Sequence, residues 1–155
     1  MLISHQKSAP QRQRGFSLVE VLIALVIMSV GMLGIAGLFV QSMQAGRTSM
    51  FRHHAVTLAG DVADRIRANP TAGAAYAGGG VDSGCVAQGI DCSAPQMAAH
   101  DIFLWAQQAD DQLPNGLVEV TYAGAVSPPS YTIAVRWTEP GVDLDYTIVI
   151  PVRGI

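Results

Sequence analysis

One carboxylate stands where a carboxylate is costly. Glu20 follows Gly15-Phe16-Ser17-Leu18-Val19 and precedes the run Val21 to Val40, which carries no charge and has Ser29 as its one polar side chain. An acid in hydrocarbon costs about 2.5–3.5 kcal/mol on insertion scales, so it needs headgroup-level placement, a partner or a use. The next basic residue along the chain is Arg47, beyond the far end of the apolar run. A partner for Glu20 would therefore come from elsewhere, and the charge alone leaves open whether it has one.

The other chemistry-bearing residues make weaker patterns. Cys85 and Cys92 are the only cysteines, in a Gly-rich stretch. In an exported segment such a pair reads most simply as one disulfide, contributing about 2–3 kcal/mol through loop entropy. His53 and His54 are adjacent, so a helix turns them about 100° apart, which is poor for chelating one ion. His5 and His100 are isolated, and Cys85, Cys92 and His100 match no common zinc spacing. No serine sits in a G-x-S-x-G elbow, and no P-loop or dinucleotide fingerprint occurs. Asp110-Asp111 and Asp143/Asp145 are expected at a helix end and a turn, as solvated acids. We expect no catalytic residue, no metal site and no cofactor.

The apolar run dictates the architecture around Glu20. A helix over Val21–Val40 would be about 30 Å long, the thickness of a bilayer's hydrocarbon core. Half of the 155 residues are hydrophobic, 14% are charged, and mean hydropathy is +0.31, with the excess concentrated in this run. Lys7, Arg12 and Arg14 precede it, which favours a cytoplasmic N-terminus, although Arg47 and Arg52 flank the other end. Taking those first three from nine basic residues leaves six against twelve acidic ones, so the remainder is acidic and unsuited to neutralising phosphates. A secretory signal would have a shorter apolar core and a small-residue cleavage site after it; Gln44-Ala45-Gly46 is not convincing as one, so the helix is expected to be kept.

The segment GFSLVEVLIAL, from Gly15, resembles the class III signal of type IV prepilins. In that family a membrane aspartyl peptidase cuts after the glycine, and the new N-terminal phenylalanine is N-methylated. The resemblance implies cleavage between Gly15 and Phe16. It also implies that Glu20, fifth in the mature chain, pairs with the freed α-amine of a neighbouring subunit. The helix-kinking proline of many major pilins is absent here. Gly31, Gly34 and Gly37 fit close packing of stems, or equally the general abundance of glycine in membrane helices.

Beyond the run, Ala55, Leu58, Ala59, Val62, Ala63 and Ile66 recur at helical spacing, with Arg52, Thr57, Gly60, Asp61, Asp64 and Arg67 opposite. The helix should stop at Asn69-Pro70. An Asp61–Arg65 pair at i,i+4 reads as a brace on a solvated face. The run Leu58 to Pro70, through Asp64, Arg65, Arg67, Ala68 and Asn69, resembles the PilV class of minor pilins, the pilus modification proteins. Residues from Thr71 to Pro95 read as a Gly/Ala-rich loop or partly ordered connector stapled by the disulfide, and Gln96–Ala109 as a short helix bearing Trp105, with Met97, Ala99, Phe103, Leu104 and Ala106 as its apolar positions. Leu113-Pro114-Asn115-Gly116 is a turn. Leu117–Tyr122, Tyr131–Thr138 and Leu144–Pro151 alternate like strands joined by short turns.

The expected fold is α+β and pilin-like: a long N-terminal helix, transmembrane in its first half and amphipathic in its second, on a small antiparallel sheet. The expected divisions are a cleaved basic leader (1–15), a transmembrane and filament-core helix (16–40), an amphipathic stem (41–70) and a head (71–155). The resemblance implies a minor pilin that begins in the inner membrane, head in the periplasm, and ends in a pilus. Its partners would be major and minor pilins, the prepilin peptidase and N-methyltransferase, and the inner-membrane assembly platform. Two rivals stand: a minor pseudopilin of type II secretion, and a signal-anchored periplasmic adhesin or binding module.

Overall fold

A computed structural model describes residues 15–86 and 90–152. The basic residues Lys7, Arg12 and Arg14, with His5 and the rest of the expected leader up to residue 14, lie outside the described residues. The chain divides into two compact units between Met43 and Gln44. Helix α1, Leu18–Ala68, contributes to both.

In the first unit every described residue from Gly15 to Met43 is exposed. The most apolar window of α1 has a hydropathy of 2.6 and is 0% buried, long and apolar enough to cross a membrane. A bare surface of Leu, Ile, Val, Met and Phe on this scale must be covered by lipid or by other chains. Added Cβ atoms at Gly31, Gly34 and Gly37 would meet nothing within 4 Å, so these glycines leave shallow places on an open surface.

The second unit is built on the remainder of α1. Its buried residues are Ala55, Leu58, Ala59, Val62, Ala63 and Ile66, the face expected from helical periodicity. The helix stops at Ala68, because Pro70 restricts Asn69 to non-helical backbone (φ −124, ψ 62). The next residues give the expected loop or partly ordered connector a definite start. Pro70–Ala77 is a 3-10 segment that drives Tyr76 into the core, 1% exposed. Gly73 turns the chain at φ 51, a conformation that disfavours any Cβ. Helix α2, Ala94–Gln112, starts at Ser93-Ala94-Pro95-Gln96, where the Gln96 side chain accepts the Ser93 N–H at 3.0 Å.

The buried face of α2 departs from the sequence reading. Ala98, His100, Asp101, Trp105 and Ala109 are buried, not the face carrying Met97, Phe103 and Leu104. The turn after α2 requires Gly116, since a Cβ there would strike the Ala109 carbonyl. Strands β1 (Leu117–Ala123), β2 (Ser130–Glu139) and β3 (Val142–Pro151) form an antiparallel meander in the order β1-β2-β3. Tyr131, Ile133, Val135 and Trp137 on β2 face the core with Leu58, Val62, Tyr76, Trp105 and Leu113. Ala134, paired across the sheet with Glu119 and Thr147, points the other way yet is 8% exposed. This is an α+β pilin-like fold.

Candidate functional site

Glu20 occupies the first turn of α1. The Ser17 carbonyl accepts the N–H groups of Glu20 at 3.0 Å and Val21 at 3.3 Å, so Ser17 marks where helical bonding begins. Gly15 and Phe16 precede it in non-helical backbone. Phe16 is 83% exposed, and space around Gly15 is open. The peptide bond between them is thus free of helical hydrogen bonding, the condition for threading backbone through a protease. Among the described residues no cation pairs with Glu20. The positive end of the helix favours a carboxylate there by about 0.3–1 kcal/mol, less than its cost in hydrocarbon. The dipole alone would therefore not sustain this acid inside hydrocarbon.

A second cluster of charge lies where α1, the 3-10 segment and α2 meet. Arg65 Nη1 donates to Asp101 Oδ1 at 2.7 Å, and its Nε lies 3.3 Å from Asp61 Oδ2. The Tyr76 hydroxyl donates to Asp101 Oδ2 at 3.0 Å, and Asn69 Nδ2 donates to the Ala94 carbonyl at 2.9 Å. Trp105 Nε1 donates to Asp61 Oδ2 at 3.3 Å. Burial of the guanidinium opposes its charge, but the bond and charge of Asp101, then those of Asp61, outweigh this and hold Arg65 above its ordinary pKa. Burial foremost, with the Asp101 charge, pushes the Tyr76 phenol well up against the opposing Asn69 bond. Arg65 is therefore more than a brace on a solvated face: it fastens the stem's end to α2 through a buried acid. The cluster contains Arg65 and Asn69 of the Asp64–Pro70 run, whereas Arg67 turns outward to Asp64 at 2.8 Å. Sequence periodicity missed Asp101 because a buried acid looks like a surface residue until its partners are known.

The remaining candidates are dispersed. Cys85 and Cys92 are joined in a disulfide. His100 is buried, its Nδ1 3.3 Å from Asp82 Oδ1 without the alignment of a hydrogen bond. The rings of His53 and His54 are 6.3 Å apart. Among the described residues, no three His, Cys, Asp or Glu side chains are grouped to hold a metal ion. Asp110 and Asp111 end α2 as expected, but Asp143 and Asp145 lie on β3 and not in a turn. The alternating strand carries them outward, and the turn itself is at Pro140-Gly141.

Residues 10–36 match the model of the prokaryotic N-terminal methylation motif, and residues 37–103 that of type IV pilin Tt1218. No curated protein and no solved structure matched the chain. The first match covers Gly15, Phe16 and Glu20; the second covers residues 41–70, both partners of the Arg65–Asp101 contact and the disulfide. The chain thus joins an α+β pilin-like fold to a prepilin methylation motif and to a match with a type IV pilin family over residues 37–103.

Proposed function

We propose that the chain is a minor pilin of a type IV pilus, cut between Gly15 and Phe16 and N-methylated on Phe16. Glu20 then pairs with the Phe16 α-amine of a neighbouring subunit. The observation that carries this reading is an acid in the first turn of an apolar helix, with no described counter-charge, four residues from the amine that cleavage would expose. Cleavage separates the basic leader from the helix and creates a cation at the depth of the acid. Desolvated, two opposite charges attract far more strongly than in water, so the pair sets the axial register that apolar packing leaves free. The exposed surface from Leu18 to Met43 is covered by lipid in the precursor and by other stems in the filament.

In this reading the chain spans the inner membrane once with its head in the periplasm, then moves to the pilus. The 1–15 leader, 16–40 core helix, 41–70 stem and 71–155 head act as separate functional parts. The prepilin peptidase and N-methyltransferase, the assembly platform and neighbouring pilins are its partners. The Asp64–Pro70 run supports the minor class over a pseudopilin, and its Arg65 fastens the stem to the head through Asp101. Glu20→Ala tests the proposal. It should be processed normally, yet sheared pili should contain at least about tenfold less of it, the equivalent of 1.4 kcal/mol per contact. Normal incorporation of Glu20→Ala would leave the acid without this role and favour a signal-anchored adhesin.

A further inference from the structure

The foot of the second unit holds a groove of about 640 Å³ between the first turns of α1 in that unit and the β2–β3 turn. Arg47, Thr48, Phe51, Glu139, Pro140 and Val142 are among its walls. Its charges are of opposite sign and separate: Arg47 and Glu139 both line it, but no ion pair joins them. The Glu139 carboxylate is fixed in place. Trp137 Nε1 donates to Oε1 at 3.1 Å, the Thr48 hydroxyl donates to Oε2, and each oxygen keeps a further acceptor direction. Among the described residues Arg47 has no ion-pair partner. Phe51, Pro140 and Val142 add apolar wall to the same groove.

The groove also has a particular place along the chain. The uncharged run ends at Val40, and Gln44 is the first residue to line the groove. Four to seven residues of helix advance about 6–10 Å, and the headgroup layer is roughly 5–8 Å deep on each side of the hydrocarbon. Arg47 therefore emerges where phosphates lie, within reach of a long side chain.

We propose that this groove binds the headgroup of a phospholipid bearing an ammonium group, phosphate on Arg47 and ammonium on Glu139, while the chain resides in the membrane. The guanidinium fork suits a phosphate, and the fixed carboxylate accepts from an N–H of the ammonium. Phe51, Pro140 and Val142 shield the glycerol end. A purely anionic headgroup would place its charge against Glu139, and a quaternary ammonium has no N–H to donate. Release of this lipid would accompany departure of the subunit into a filament. The inference rests on the membrane-resident state proposed above.

Native mass spectrometry of the full chain tests it, after reconstitution in nanodiscs of equal parts phosphatidylethanolamine, phosphatidylglycerol and phosphatidylcholine and release into mild detergent. One phosphatidylethanolamine should be retained in preference to the others. Arg47→Ala should lower that retention roughly fivefold or more. Glu139→Gln should move the preference toward phosphatidylglycerol, while Arg136→Ala, on β2 outside the groove, should leave it unchanged. Insertion with no ethanolamine preference, or with retention indifferent to Arg47→Ala, overturns the lipid site and leaves the membrane reading intact. Failure of the chain to enter the bilayer at all overturns both.

Discussion

Breaking the Arg65–Asp101 contact from its two sides should cost unequal amounts. The Asp101 side chain is 4% exposed and the Arg65 side chain 42%. Arg65→Ala strands the buried carboxylate with the Tyr76 hydroxyl as its remaining donor. Removing one partner of a buried pair costs about 3–5 kcal/mol, and because the Tyr76 hydroxyl still donates to the carboxylate we expect the low end, about 3 kcal/mol. Asp101→Ala leaves an arginine that water reaches and that keeps Asp61 at 3.3 Å. The Tyr76 hydroxyl then falls back on the Arg65 carbonyl at 3.4 Å and the Asn69 amide at 3.3 Å, so the loss is about 1–2 kcal/mol. The double variant has no stranded charge and should be more stable than Arg65→Ala alone by about 1 kcal/mol or more. Trp105 and Trp137 are both buried in this unit, so tryptophan fluorescence during urea unfolding of the full chain in detergent reports the difference. Asp101→Ala costing as much as Arg65→Ala, or a double variant less stable than either, would refute the claim that a buried acid anchors this joint.

Two further expected outcomes concern the head. Reducing the Cys85–Cys92 bridge, or Cys85→Ser with Cys92→Ser, should lower unfolding stability by about 2.5 kcal/mol by loop entropy, read as a lower urea midpoint in the same assay. The bonds from Thr48 and Trp137, and then the charges of Arg52 and Arg47, hold the Glu139 carboxyl below its ordinary pKa. A depressed acid stabilises the fold above its unfolded pKa, and the contribution is lost as pH falls through the folded value. The stability gap between the native chain and Glu139→Gln should thus be fullest near neutrality and close below about pH 4. A gap that widened in acid would contradict that sign.

The stem was legible in the sequence because a helix half-buried against a sheet must repeat apolar residues at 3.6 spacing, and Ala55 to Ile66 do so without interruption. The three strands were legible for the analogous reason at period two, with Leu113–Gly116 marking the turn before the first; the turn at Pro140-Gly141 lies earlier than Asp143/Asp145, where the sequence reading places it. Two regions were not. Pro70–Ala77 is mostly Ala and Gly, whose burial leaves no periodic trace, and Tyr76 alone signals that the segment enters the core. On α2 the buried face includes His100 and Asp101, so hydrophobic periodicity chose the wrong side; the polarity of Asp101 is satisfied by Arg65 and Tyr76, contributed from distant parts of the chain. The Gly15, Phe16 and Glu20 pattern was legible for a different reason. Glu20 stands out because an acid beside an apolar helix is costly, whereas Gly15 and Phe16 are singled out by the resemblance to the prepilin signal.

The central claim concerns a bond cut and an amine exposed at the mouth of the apolar helix. Intact-mass and N-terminal fragment spectra of the protein recovered from sheared pili and from membranes test it most directly. The account predicts a mature chain beginning at N-methylated Phe16, with the residues before it gone. A chain in pili that still carries Met1 through Gly15 would contradict it.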